Sequence, residues 1–234
     1  MWYFNSVGTK NKEELFKKAF DLLNLGKTNE ALSVYDVILE EFKDDEDAFI
    51  NKALVFLQTQ KFQDCLDLLA KIKEDSERGF DKILIEASCL HKLNRVEEAE
   101  KKYQTISKIL PVNKNAILQI GSTCLEQSYF RVAIDIFNKL QEIDSKFEKN
   151  YFIGIAYKGL GELTNSIRSL GKALRANPEM YSLYPLIAST CFQNNMLIEG
   201  DKLMAILKEK HEPFFQNVAG PTSHYRQAPQ EKKD

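Results

Sequence analysis

Small side chains return along the chain at a nearly constant interval: Ala19, Ala53, Ala87, Gly121, Gly154 and Ala188, separated by 34, 34, 34, 33 and 34 residues. A second series keeps step twelve residues later, at Ala31, Cys65, Ala99, Ala133, Ser166 and Gly200. Apolar residues flank the first series four before and three after, as in Leu15/Ala19/Leu22, Phe49/Ala53/Phe56, Ile83/Ala87/Leu90 and Ile117/Gly121/Cys124. In the second series the partners lie four and seven later: Ala31/Tyr35/Ile38, Cys65/Leu69/Ile72, Ala99/Tyr103/Ile106 and Ala133/Phe137/Leu140. Both spacings place the apolar groups on one face of an α-helix. Each period therefore predicts two helices, and the small residue on each marks a place where two backbones cross closely. Between the two helices fall Gly26, Gln60, Asn94, Ser128, Gly161 and Asn195. Gly and Asn are the residues that enter the left-handed conformation a helix C-terminus needs. Pro111 and Pro178 follow second helices, where proline cannot continue the turn.

A period of this length marks repeated supersecondary units that bury their apolar faces by stacking. The expected fold is all-α: antiparallel helix pairs stacked into one body, with units at about 12–45, 46–79, 80–113, 114–146, 147–180 and 181–211. An N-terminal segment, 1–11, precedes them and a flexible C-terminal tail, 212–234, follows. In that tail Pro213, Gly220, Pro221 and Pro229 are expected to interrupt any helix. Phe214, Phe215 and Val218 are the exceptions, suited to dock near Phe192 and Met196 and cover the end of the stack.

This register resembles the tetratricopeptide repeat family over residues 12–211. Ala19, Ala31 and Tyr35 match its pattern in the first unit, and Ala87, Ala99, Tyr103 and Pro111 in the third. Gly121, Ala133 and Phe137 match in the fourth; Gly154, Gly161 and Pro178 match in the fifth. The family's first-helix Trp is replaced by Leu15, Phe49, Ile83, Ile117, Asn150 and Tyr184, and the closing Pro is missing from the first, second and fourth units. The resemblance implies a right-handed solenoid that serves as a non-catalytic scaffold for protein–protein interaction. Some family members hold a C-terminal carboxylate in a clamp of Lys, Asn and Arg. The matching places here are Phe16, Phe20, Asn51, Asp81 and Ile85, of which Asn51 alone fits, so no such clamp is expected.

Composition narrows the function. Lys and Arg number 32 against 34 Asp and Glu, and the cations are scattered rather than gathered into a track. A nucleic-acid partner, which needs a basic stripe to neutralise phosphates, is not expected. No apolar run is long enough to span a bilayer, and the start has no signal-peptide pattern, so a soluble cytoplasmic protein without membrane insertion is expected. The four cysteines, Cys65, Cys89, Cys124 and Cys191, form no C-x-x-C pair and read as small buried groups. The three histidines, His91, His211 and His224, join no nucleophile–base constellation and no catalytic motif is present. Neither catalysis, a cofactor nor a metal is expected.

There remains a surface for protein. If first helices line a concave wall, the stripe beside each small residue faces the groove. That stripe contains Phe16, Phe20 and Leu23; Ile50, Leu54 and Leu57, with Asn51 beside them; Leu84, Ser88 and His91; Leu118 and Ser122; Tyr151 and Ile155. An apolar strip of this length facing solvent marks a binding site. The expected partner is a protein or peptide with an apolar or amphipathic segment, laid in the groove by its i, i+3, i+4 anchors. Two alternatives stand beside this reading. Met1–Phe4 can fold back over Phe16 and Phe20, or the strip can pair two copies of the chain.

Overall fold

Six turns set the architecture. Gly26, Gln60, Asn94, Ser128, Gly161 and Asn195 all have positive φ, at 71°, 60°, 59°, 64°, 73° and 58°. Each closes the first helix of its pair with the same two hydrogen bonds. At the first turn Gly26 N–H donates to the Leu23 carbonyl (3.0 Å) and Lys27 N–H to that of Leu22 (2.9 Å). At the last, Asn195 donates to Phe192 (3.1 Å) and Met196 to Cys191 (2.8 Å). These bonds satisfy carbonyls that the helix end leaves without partners. A left-handed residue with a Cβ is disfavoured by roughly 1 kcal/mol against glycine. Gln60→Gly is therefore expected to raise stability by up to about 1 kcal/mol, read as an upward shift of the unfolding midpoint in urea.

The computed structural model describes residues 4–73 and 76–227, and the side-chain surroundings of 11–73, 76–141 and 145–226. The described residues form helices and no strand: α1 Phe4–Asn24, α2 Thr28–Glu41, α3 Glu46–Gln58, α4 Phe62–Leu69, α5 Gly79–Lys92, α6 Val96–Ile109, α7 Lys114–Glu126, α8 Phe130–Asn138, α9 Glu142–Gly159, α10 Leu163–Ala176, α11 Leu183–Gln193, α12 Leu197–Lys210 and α13 Glu212–Gln227. They fall into two compact units, Met1–Ile109 and Leu110–Asp234. In the first unit α1/α2, α3/α4 and α5/α6 pair and stack through α2–α3 and α4–α5 contacts. In the second, α7/α8, α9/α10 and α11/α12 pair, with α8–α9 and α10–α11 contacts between pairs.

The small residues sit where the pairs cross. Ala19, Ala53, Ala87 and Ala188 of the first series and Ala31, Cys65, Ala99, Ala133 and Ser166 of the second are each 0% exposed. The two series touch. Cys65 Sγ–H donates to the Ala53 carbonyl at 3.2 Å, and Ser166 Oγ–H donates to the Gly154 carbonyl at 2.8 Å, the same bond across twelve residues in different units. A Cβ on Gly154 would stand 2.6 Å from Leu170 Cγ, so glycine is required by close approach rather than by backbone conformation. Around these crossings Val34, Tyr35 and Ile38 form one core, Leu68, Leu69, Ile72 and Ile85 a second, and Leu170, Leu183 and Ile187 a third.

Both ends differ from expectation. α1 begins at Phe4, inside the segment expected to precede the first helix. Residues 5–11 lack apolar periodicity, and polar contacts follow them. Asn11 donates its amide to Glu41 at 3.1 Å, and Lys12 pairs with Asp45, which in turn caps α3 by accepting from Ala48 N–H at 2.8 Å. Met1–Tyr3 lie outside the described residues, and so does the Phe4 side chain, so the suggested cover over Phe16 and Phe20 falls there too.

The tail expected to be irregular holds α13 over Glu212–Gln227. Pro213 lies in the first turn, where no intrahelical bond is lost. His211 caps this turn, its Nδ1 accepting from Phe214 N–H at 3.1 Å. Pro221 sits within the helix, but Phe214, Phe215, Val218 and Ala219 are half-buried and Thr222 buried on one face, and α13 packs on α11 and α12. Partial burial of those side chains contributes on the order of 3 kcal/mol, enough to offset the ~3 kcal/mol an interior proline costs.

Candidate protein-interaction surface

In the N-terminal unit the first helices are α1, α3 and α5. The residue just after each small one is Phe20, Leu54 and Ser88. Phe20 is 62% exposed and Leu54 39%, while the Ser88 hydroxyl turns back to the Leu84 carbonyl at 3.0 Å. Phe16, Leu23, Asn51, Leu57, Leu84 and His91 are half-buried. Phe16 and Leu23 pack from outside on the core around Ala19, and Leu57 on the core around Ala53. Ile50 departs from the expected strip. It is 2% exposed and shares a core cluster with Ile85 of α5. A helical wheel of α3 alone does not show that α5 closes over this position.

Between α1 and α3 opens a hollow of about 380 Å³ lined by Lys12, Glu13, Phe16, Asp47 and Asn51. Its apolar side is the Phe16 ring, held edge-on to Tyr35 with centroids 6.2 Å apart, and Lys12 Nζ lies 5.8 Å from the Phe16 ring centroid. Asn51 donates its amide to the Asp47 carbonyl at 2.8 Å, so the one residue matching the carboxylate clamp is engaged within its own helix. Lys12, Glu13 and Asp47 were not singled out from the sequence. Their signal is charge at positions adjoining the stripe, which helical periodicity of apolar groups passes over. At the end of the α5 strip, burial first and the neighbouring Lys92 second hold the His91 imidazole below its ordinary pKa.

The C-terminal unit brings together a second set. Leu118 and Ser122 of α7, and Tyr151 and Ile155 of α9, are half-buried. Tyr151 stacks on Phe147 at 5.8 Å and meets Phe152 edge-on at 5.1 Å. Tyr151 and Ile155 also pack on the core around Leu170 and Ile187. This part of the strip is ordered by ring contacts and less open than the Phe20–Leu54 region.

The cysteine thiols are sealed in the core. Burial pushes Cys124 up to about 12 and Cys191 up to about 11, the latter helped by Glu199. Hydrogen bonding to Cys89, then burial, raises Cys65. The same bond with Cys65 lowers Cys89, which is 0% exposed, and a reactive thiolate needs access as well. Among the described residues no group of three His, Cys, Asp or Glu is placed to hold a metal ion, and no helix is long and apolar enough to cross a membrane.

Known proteins agree with this architecture. The family pattern of anaphase-promoting complex, cyclosome, subunit 3 matches residues 24–106, and that of the tetratricopeptide repeat matches residues 150–180. No curated protein matches the sequence. The C-terminal part of a repeat protein from Cytophaga hutchinsonii is 17% identical, with a TM-score of 0.61 over 90% of this chain and 85% of its own. A tetratricopeptide repeat protein from Parabacteroides merdae is 17% identical, with a TM-score of 0.56 over 96% and 95%. YrrB, described as having an unusual peptide-binding site, is 20% identical, with a TM-score of 0.52 over 76% and 94%. Identities this low speak to fold alone. Repeat proteins of this type generally serve as non-catalytic scaffolds for protein–protein interaction. In its register, its six identical turns and both family matches, the chain is similar to the tetratricopeptide-repeat family.

Proposed function

We propose that this chain is a non-catalytic interaction scaffold whose first-helix wall takes an apolar or amphipathic peptide segment. The supporting observation is the pair Phe20 and Leu54. Both follow a fully buried alanine by one residue, on neighbouring first helices, and both stay exposed, at 62% and 39%. Burying a side chain of this size contributes about 1.5–3 kcal/mol, so leaving two in water on one wall favours a partner that covers them. Phe16, Leu23, Asn51, Leu57, Leu84, Ser88 and His91 extend the surface in the N-terminal unit. Leu118, Ser122, Tyr151 and Ile155 form the corresponding wall of the C-terminal unit. Two names support the reading by analogy: the subunit of a larger complex whose pattern covers residues 24–106, and the peptide-binding protein YrrB.

The test is affinity capture on the immobilised full chain from lysate of the source cells, read by mass spectrometry. Phe20→Asp with Leu54→Asp is expected to remove the captured set while helicity and melting temperature stay close to wild type, because exposed sites change stability by about 0.5 kcal/mol. Capture that survives both substitutions overturns the wall assignment.

A further inference from the structure

The second helices of the C-terminal unit carry a feature that the repeat pattern does not require. α10 contains Arg168, Lys172 and Arg175 and no carboxylate. These positions are three and four apart, where like charges face one another and mildly destabilise a helix. Among the described residues, no ion pair neutralises Arg168, Arg175 or Lys202. Arg175, in the last turn, suits the helix dipole, whereas the spacing of the three cations along one helix does not favour folding.

Between α10 and α12 lies an open hollow of about 470 Å³. Leu174, Ile187, Leu203 and Ile206 line its floor and walls, and Arg168, Arg175, Lys202 and Glu199 stand around it. Three cations to one carboxylate gather here on a chain whose formal net charge is −2. Gly171 faces the same space: a Cβ built there meets only Arg175 Nη1, at 3.8 Å.

The N-terminal unit supplies an internal comparison. Its corresponding interval, lined by residues of α2, α3 and α4, contains Asp36, Glu40, Lys52 and Lys71, and Lys52 pairs with Asp36. Counted from the small residues of each repeat, these four places become Gly171, Arg175, Ile187 and Ile206. The acid–base pair is thus replaced by a glycine and an isoleucine, one acid by an arginine, and one lysine by an isoleucine. Charge balance gives way to an apolar floor under a cationic rim.

We propose that this α10–α12 face is a second docking surface, for a segment of another protein in which large apolar side chains are flanked by carboxylates. The apolar groups enter the hollow beside Gly171, and the carboxylates meet Arg168, Arg175 and Lys202. Charge complementarity of this kind favours encounter and selects against basic partners. The surface is separate from the first-helix wall and does not depend on it.

The probe is a short fluorescein-labelled helical peptide with Leu at i, i+3, i+4 and i+7 and Glu elsewhere, titrated with the full chain by fluorescence anisotropy. Two control peptides carry Lys in place of Glu and Ser in place of Leu. The Glu/Leu peptide is expected to bind, the controls at least about tenfold more weakly, and binding is expected to weaken with salt. Gly171→Leu, which fills the hollow and suits a helix better than glycine, is expected to cost about tenfold or more in affinity without lowering the melting temperature. Arg168→Glu with Arg175→Glu is expected to cost as much and to flatten the salt dependence. If Gly171→Leu fails to fold, that charge reversal decides.

Phe20→Asp with Leu54→Asp should leave this affinity unchanged. Equal binding of the Lys peptide, no binding of the Glu peptide, or loss only on changing Phe20 and Leu54 overturns the proposal. So does a concentration-dependent dimer that the charge reversal dissolves, which assigns the face to a second copy of this chain.

Discussion

Phe137→Ala is expected to remove about 3–5 kcal/mol from the stability of the C-terminal unit, a large share of what a domain this size possesses. The ring is 0% exposed and stacks on Phe152, with centroids 4.7 Å apart and planes 8° from parallel. It also lies against Gly121, where an added Cβ would come within 2.6 Å of two ring atoms. Two residues sixteen apart, one from each helix of a pair, are thus shaped for each other. A double-mutant cycle measures that fit. In the wild-type background Gly121→Ala is expected to cost about 1–3 kcal/mol from overpacking, reduced by the ~1 kcal/mol that alanine gains over glycine in a helix. With Phe137→Ala already in place, the new methyl group meets space instead of a ring, and the same change is expected to stabilise. Midpoints in urea for the four proteins give the coupling. An equal effect of Gly121→Ala in both backgrounds would show that the glycine is not there for the ring.

That fit was legible before any coordinates because the helical repeat imposes it six times. A residue that must lack bulk leaves a strong trace when neighbours such as Ala87, Gly121 and Gly154 recur in step. The turns were legible for a similar reason, since Gly26, Asn94, Gly161 and Asn195 are residue types that accept positive φ. Gln60 and Ser128 are not, and only their place in the series identified them. What escaped the sequence lacks periodicity. The opening of α1 is polar, and its fixed contacts reach residues about thirty positions away, such as Glu41. α13 carries two prolines, and its formation rests on burial against α11 and α12 that no local pattern records. On the candidate wall, Phe20 and Leu54 were readable as the first step off a buried stripe. Ile50 was misplaced because its exposure depends on a third helix, α5. The cationic hollow beside Gly171 was passed over for a different reason: it is a departure from the repeat, visible only when equivalent positions are set against one another.

Ala53→Leu is expected to cost about 3 kcal/mol or more, at or beyond the upper end of the usual range for overpacking. Ala53 has no exposed surface, and its carbonyl accepts from Cys65 Sγ–H at 3.2 Å, which fixes how closely α3 and α4 approach. Cys65, Leu68 and Leu69 fill the same cluster, so three extra carbons have nowhere to go without parting the helices. One residue along, the expectation changes. Leu54 is 39% exposed, and Leu54→Asp should alter stability by about 0.5–1 kcal/mol while removing partner capture. Adjacent positions on one helix are thus expected to divide cleanly, one governing folding and the next governing recognition. Thermal unfolding and capture, measured on both variants, test the division. A tolerant position 53 beside a sensitive position 54 would rotate α3 by about 100° from the orientation described, carrying Leu54 into the core. The wall and the helix crossing stand or fall on the same rotation, because a single register fixes both.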